Sequence, residues 1–392
     1  MTIRARAAYV TFFAAIGAFA PYLPVYYQSL GLGLDAVGLL GALSAAAGLV
    51  GAPLWGAAAD RFANSRMVLP VAAGGAALAA GLLALVHGPL LIVLAVGLMS
   101  LAMGGVSPIL DARALETVTD DRNRYGRFRV WGSASFVVAA VFTGWLIDRA
   151  GIHALLFVLI TGLAATAIVG LGLRSTNLVP SLPRFEGIKS VIRSPELAPF
   201  LVAALFIWSA DSAINGFFSI RLGEIGAPAS LVGISWALGA VVEIPLMVAF
   251  PALGARFGAE RLLLAAAVLF VVRAIAVAVL RDPLLVTLTM ALHGGAFALS
   301  LVGGVTYVSR HAPQGAAATA QGVLSGTTFG LAAILGPGLG GLLAPSLGLP
   351  GMFGVAALAG IAGVGALSVA LRSRSAGFQR ESSARSVNDG AK

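Results

Sequence analysis

The sequence predicts an all-α integral membrane protein with twelve transmembrane helices, and three observations carry that prediction. The chain is 59% hydrophobic and only 10% charged over 392 residues, where a soluble protein of this length carries about a quarter charged residues. Its apolar residues fall in runs of about 20, the length at which an α-helix crosses the hydrocarbon core of a bilayer. Its basic residues collect on alternate connections between those runs. So much apolar side chain excludes disorder. Fifty glycines without a collagen period suit close helix packing in lipid. With no cysteine, disulfides, thiolate chemistry and cysteine metal sites are excluded.

The first run, near 7–29, follows Arg4 and Arg6 as a signal peptide would. Its apolar part is too long for one and holds Pro21 and Pro24, so it reads as a span. The next runs lie near 36–58, 67–87, 90–112, 128–147 and 152–173, and Asp35 is placed to cap the second helix. Six more follow near 198–220, 229–251, 260–280, 284–308, 316–343 and 349–371. The connections after the odd-numbered spans are short and rich in Gly or Pro, as in Gly31-Leu32-Gly33, Ala150-Gly151 and Gly226-Ala227-Pro228. Of 25 Lys and Arg, 21 lie on the amino-terminal side of the bundle. Only Arg149, Arg221 and Arg281 lie on the other side, and Arg273 is intramembrane. Both termini are therefore expected in the cytoplasm. A net charge of +9 distributed this way points to a membrane and not to nucleic acid.

The longest polar connection divides the chain into an amino-terminal half (1–173), a linker (174–197), a second half (198–371) and a basic tail (372–392) expected to be disordered. A shift of 195 residues superposes Gly38 on Gly233, Arg61 on Arg256, Phe62 on Phe257 and Arg66 on Arg261. Parallel six-helix repeats with a site at midplane between them are the logic of one large class of membrane carriers.

Ionisable side chains inside apolar runs are the sharpest functional signal. Glu243, Arg273 and His293 lie deep in three different predicted helices of the second half. Each costs roughly 2.5–3.5 kcal/mol on insertion scales, so such groups face one another or a watery cavity. A static ion triad pinning helices is the plainer reading, but desolvation makes it costly where apolar residues would serve. Asp211 is central in the seventh helix with Asn215 one turn later. It could carry a proton, bind a polar substrate or pair with Arg273. Trp236 lies seven residues before Glu243 on the same helical face, and Tyr22 and Tyr26 are one turn apart on the first helix; all three are candidates to complete a substrate cavity.

Gly56-Ala57-Ala58-Ala59-Asp60-Arg61 resembles the G-x-x-x-D-R loop of the major facilitator superfamily, with Phe62 and Ala63 where a glycine usually follows. The resemblance implies that Asp60 and Arg61 latch the cytoplasmic side. Further stretches are similar to the branch holding lactose permease and the 3-phenylpropionate permeases. They are Pro21-Tyr22-Leu23-Pro24, Ser107-Pro108-Ile109-Leu110-Asp111-Ala112, Tyr125-Gly126-Arg127-Phe128-Arg129, the run from Trp236 to Glu243, Val271-Val272-Arg273 and Leu292-His293-Gly294. What the branch implies is substrate binding and proton coupling through residues matching Glu243, Arg273 and His293, and a grip on the substrate by an acid–arginine pair matching Asp111 and Arg129. A guanidinium fork suits a carboxylate or a diol. The branch's acidic residue one turn after the histidine is replaced here by Ala296, which leaves Glu243, with Asp211 as the alternative, to carry the proton.

Other motifs are set aside. Gly336-Pro337-Gly338-Leu339-Gly340-Gly341 satisfies G-x-G-x-x-G but sits within an apolar helix, not after a strand. His87, His153, His293 and His311 give no metal spacing, and no nucleophile signature is present. The expectation is a monomeric, multi-pass carrier of the bacterial inner membrane, without cofactor or enzymatic activity. Its partners are a small-molecule substrate, protons and the lipid bilayer. Proton-linked uptake of an aromatic carboxylate, or of a sugar or nucleoside, leads. A proton-driven exporter is second, and a non-transporting membrane scaffold third.

Overall fold

The computed structural model describes the backbone over residues 2–62, 66–116, 123–173 and 185–389, without side chains at 2, 114–116, 123–129, 185–186 and 373–389. Every regular element among the described residues is helical. The chain opens with α1 (Thr2–Phe19) and α2 (Leu23–Ser29), followed by α3 (Leu34–Arg61) and α4 (Val68–Leu85). Next come α5 (Pro89–Met103), α6 (Val106–Glu116), α7 (Asn123–Ala150) and α8 (Ala154–Leu171), and then the short α9 (Phe185–Ile192). The remainder is α10 (Leu197–Glu224), α11 (Ala229–Phe257), α12 (Ala259–Val279), α13 (Pro283–His311), α14 (Ala317–Ser325), a π-helical turn (Gly326–Leu331) and α15 (Ala332–Asp389). Ten of these stretches are long and apolar enough to cross a membrane, or eleven if the bent pair α1–α2 is one span.

Three apolar runs are less regular than their hydropathy predicts. The first bends by 47° between α1 and α2, because Pro21 has no N–H to continue α1 and Pro24 starts the next helix. The fourth breaks at Gly104 and Gly105, where added side chains would collide with the Gly48 backbone and the Trp55 ring. The eleventh contains the π-helical turn and runs on into α15. The continuous stretch Ala317–Arg372 has 56 residues, about 84 Å if straight and far more than one bilayer. It folds back at Gly348, whose φ of 66° only glycine adopts readily.

The backbone of the tail is helical as far as Asp389. Asp35 departs from its expected role. The N-cap of α3 is Gly33, with no side-chain capping bond, and Asp35 lies within the first turn, where its charge still complements the helix dipole. Asp282 is a true cap, accepting hydrogen bonds from the N–H groups of Leu284 and Leu285 at 2.9 and 3.0 Å.

The helices form two packing groups. In the first, α1 packs on α7 and α8, α4 on α5 and α8, and α3 on α5; in the second, α10 packs on α15, α12 on α13 and α15, and α11 on α13. The groups meet chiefly where α3 touches α15 and α7 touches α11. Outward faces carry Leu78, Leu85, Phe157, Ile168 and Val248, all more than two-thirds exposed, as a lipid-facing surface requires.

Candidate functional site

The ionisable groups of α10, α12 and α13 converge. Arg273, fully buried on α12, donates from Nη1 to Asp211 Oδ1 of α10 at 2.7 Å and from Nη2 to Asn215 Oδ1 at 2.9 Å. Its Nη2 also lies 3.3 Å from Met290 Sδ. Asn215 Nδ2 donates to the second Asp211 oxygen at 2.9 Å. The one-turn spacing of Asp211 and Asn215 puts both on one face of α10, so a single guanidinium reaches both.

His293 of α13 completes the cluster. Its Nδ1 lies 3.1 Å from Asp211 Oδ1 and 3.2 Å from Arg273 Nη1. A proton on that nitrogen donates to the carboxylate; without it, the nitrogen accepts from the guanidinium. One ring atom therefore has two alternative partners, and a proton chooses between them. The side chains of Arg273 and Asp211 are 0% and 4% exposed, whereas that of His293 is 13% exposed.

The other predicted site residues are placed as follows. Glu243 is half-buried on α11, and the carboxylate that Arg273 grips is Asp211. Asp111, half-buried on α6, accepts a hydrogen bond from the hydroxyl of Tyr9 on α1. The side chain of Arg129 lies outside the described residues. Trp236 packs its ring 6.4 Å from that of Phe136 on α7, and its buried indole nitrogen has no hydrogen-bond partner among the described residues. Tyr26 is buried, with its hydroxyl 3.4 Å from the Leu83 carbonyl oxygen. Asp60 and Arg61 close α3, half-buried and exposed respectively, without a hydrogen bond or ion pair among the described residues.

Tyr22 does something the sequence did not suggest. Its hydroxyl donates to the Ala140 carbonyl of α7 at 2.6 Å and lies 3.3 Å from the Ala229 carbonyl of α11. It belongs to a seal between the two groups at the end of the bundle bearing the Gly31, Gly151, Gly226 and Gly348 turns, here termed the loop end. Asp148 of α7 accepts from the N–H groups of Ala229 and Ser230 at 2.7 and 3.0 Å, capping α11 from the opposite group. Ser219 of α10 donates to the Pro21 carbonyl. Side chains added at Gly38 or Gly341 would strike the facing α15 or α3 backbone, and at Gly233 the Ala140 carbonyl. The repeat-related glycines Gly38 and Gly233 thus do the same job at two interfaces. Gly341 ends the G-x-G-x-x-G run, whose glycines serve helix packing. Sequence reasoning missed Asp148, Tyr9 and Met290; the only signal for Asp148 was a carboxylate at a helix end.

Fold and cluster together define a multi-pass membrane carrier, and comparison with known proteins gives its family. The model of the MFS_1 like family matches residues 2–353, and the chain belongs to that family of major facilitator transporters. It is 30% identical over 339 residues to a maltose permease of Geobacillus stearothermophilus, covering 86% of each chain. It is 29% identical over 321 residues to a probable 3-phenylpropionic acid transporter of Escherichia coli (strain K12), covering 77% of this chain and 80% of that one. Among solved structures, the nucleoside transporter NupG superposes with a TM-score of 0.80 at 18% identity, covering 94% of this chain and 98% of that one. That likeness concerns the fold.

Proposed function

We propose that this transporter moves a small organic solute by proton-coupled uptake, rocking two six-helix halves about a midplane site. Counting α1–α2 as one bent span and dividing Ala317–Arg372 at Gly348 gives twelve spans, six on each side of the linker. The bias of 21 basic residues to one face puts both termini in the cytoplasm, here of a bacterial inner membrane. The loop end then faces outward and is closed. Asp60 and Arg61, without an ion pair among the described residues, suit a cytoplasmic face that is open.

The observation that carries the reading is the cluster of Asp211, Arg273, Asn215 and His293 within an apolar bundle. Apolar residues would hold three helices together at no desolvation cost, so the charges serve another end. Glu243, at the position that the permease resemblance ties to proton coupling, carries the proton in this reading, while His293, beside Asp211 and Arg273, senses solute and proton together. Arg273 holds Asp211 and His293 in place; Asp111 and Arg129 of the other half, with Trp236, contact the solute. Aromatic carboxylates come first, in keeping with the 3-phenylpropionic acid relative, and sugars or nucleosides second.

The test is purified protein in liposomes, with internal pH recorded as 3-phenylpropionate, maltose or uridine is added outside. Internal acidification with one solute class establishes symport and names the class. Full uphill uptake by Glu243→Gln would remove Glu243 from its role. A second reading has one observation in its favour, a multidrug resistance protein MdtG of Dickeya zeae, 27% identical over 296 residues. Proton-driven loss of preloaded dye, with no solute-linked acidification, would establish export instead.

A further inference from the structure

One face of α7 turns away from the rest of the protein. Phe136, Ala140 and Gly144, one turn apart, meet α11 and Tyr22. Val138, Phe142, Trp145 and Arg149 follow at helical spacing on the opposite side, and all four are exposed. The Phe142 and Trp145 rings stack at 5.7 Å, and the Arg149 guanidinium lies 4.1 Å over the Trp145 ring. An arginine near the end of a spanning helix ordinarily reaches out to water. This one folds back onto the indole, held by the attraction of a cation for an aromatic face. It has no hydrogen bond or ion pair among the described residues. Its neighbour Asp148 is committed to the N–H groups of Ala229 and Ser230. The other arginines of the loop end differ: Arg221 is buried against Glu224 and the Leu280 carbonyl, and Arg281 is exposed without a ring contact among the described residues.

We infer that this stripe binds an anionic phospholipid of the leaflet at the loop end, its phosphate on Arg149 and an acyl chain along Trp145, Phe142 and Val138. Length supports the assignment. From Val138 to Arg149 the helix rises about 16 Å, close to half of a hydrocarbon core roughly 30 Å thick, so the stripe is as long as one leaflet is deep. Charge supports it as well. A guanidinium offers parallel N–H donors to phosphate oxygens, and no described carboxylate takes those of Arg149. A zwitterionic headgroup carries its own cation beside the phosphate and gains less from a second one; a net-negative headgroup keeps the whole attraction. Aromatic side chains at a bilayer boundary serve generally as anchors. The guanidinium fixed on the ring is what turns an anchor into a site with a charge preference. The site is separate from the ion cluster and does not depend on which solute is carried.

The indole itself reports the test. The full chain is reconstituted in phosphatidylcholine bilayers to which dibrominated phosphatidylglycerol, or dibrominated phosphatidylcholine, is added in rising proportion. Bromine quenches an indole only at close range, and the emission of Trp145 is the difference between each protein and its Trp145→Phe counterpart. Half-maximal quenching of Trp145 should need about fivefold less of the anionic lipid than of the zwitterionic one, the effect of one basic side chain at a bilayer surface. Arg149→Gln should level the two lipids, and Arg281→Gln should leave the preference in place. Equal quenching by both lipids in the wild type, or a preference that survives Arg149→Gln, overturns the site. So does a preference lost equally in Arg281→Gln, which would mean diffuse attraction to the charge at this end. Millimolar inorganic phosphate should change nothing; loss of the preference in its presence would assign the guanidinium to a soluble anion and remove the lipid.

Discussion

The ion cluster and the loop-end seal are both polar features in an apolar protein, yet they are built on opposite plans. The cluster joins α10, α12 and α13 of one helix group through a buried ion pair. The seal joins the two groups through uncharged hydroxyls, backbone approaches at glycine and one carboxylate set on a helix end. The difference reflects what each must do. A buried pair that loses a partner costs about 3–5 kcal/mol, so charges belong where partners stay together throughout a cycle. In the proposed alternating-access cycle the seal opens and closes at every turnover, so it must be weak enough to break, and single hydrogen bonds of about 0.5–1.5 kcal/mol meet that need.

The largest effect should come from breaking the cluster. Arg273→Ala leaves Asp211 charged and buried, and a loss of about 3–5 kcal/mol is expected, read as a sharp fall in melting temperature in detergent. Replacing both, Asp211→Asn with Arg273→Gln, should recover most of that stability but not uphill uptake. Stability that stays low in the double variant would mean that the helices need the charges themselves.

Next in size is Gly38→Leu at the α3–α15 contact. Its side chain meets the backbone of Pro337 and Gly341. Overpacking of this kind costs about 1–3 kcal/mol, enough to move a two-state balance about 5–150-fold toward a loop end that stays open. Uptake should fall while the protein remains folded. Asp148→Ala removes the cap on α11 and should cost about 1 kcal/mol, and Tyr22→Phe somewhat less, about 0.5–1.5 kcal/mol at most. All three should increase labelling of the loop end by a membrane-impermeant reagent, in the order Gly38→Leu, Asp148→Ala, Tyr22→Phe. A reversal of that order would mean that the hydroxyl, and not backbone packing, governs closure.

Much of this was legible in the sequence. Runs of about 20 apolar residues locate the spans because lipid leaves the backbone no other way to satisfy its hydrogen bonds. Asp211, Asn215, Arg273 and His293 stand out as polar groups where hydropathy forbids them. Their pairing was not legible. Whether Arg273 meets Asp211 or Glu243 depends on the rotation of each helix about its axis, which hydropathy does not encode in a chain apolar on nearly every face. The breaks at Gly104–Gly105 and Gly326–Leu331 escaped for a related reason: they answer to close packing, and one glycine among fifty carries no label. Asp148 looked like an ordinary helix-end charge because its partner lies 81 residues away.

The most direct test is the distance across the loop end. Spin labels at Ser29→Cys and Ser346→Cys, both exposed positions on opposite helix groups, would be measured in liposomes in the otherwise cysteine-free chain. A closed-end population is predicted, with a longer-distance population that grows in Asp148→Ala and dominates in Gly38→Leu. A single distance, unmoved by either substitution, would contradict the view that the seal is the moving part and the ion cluster the fixed one.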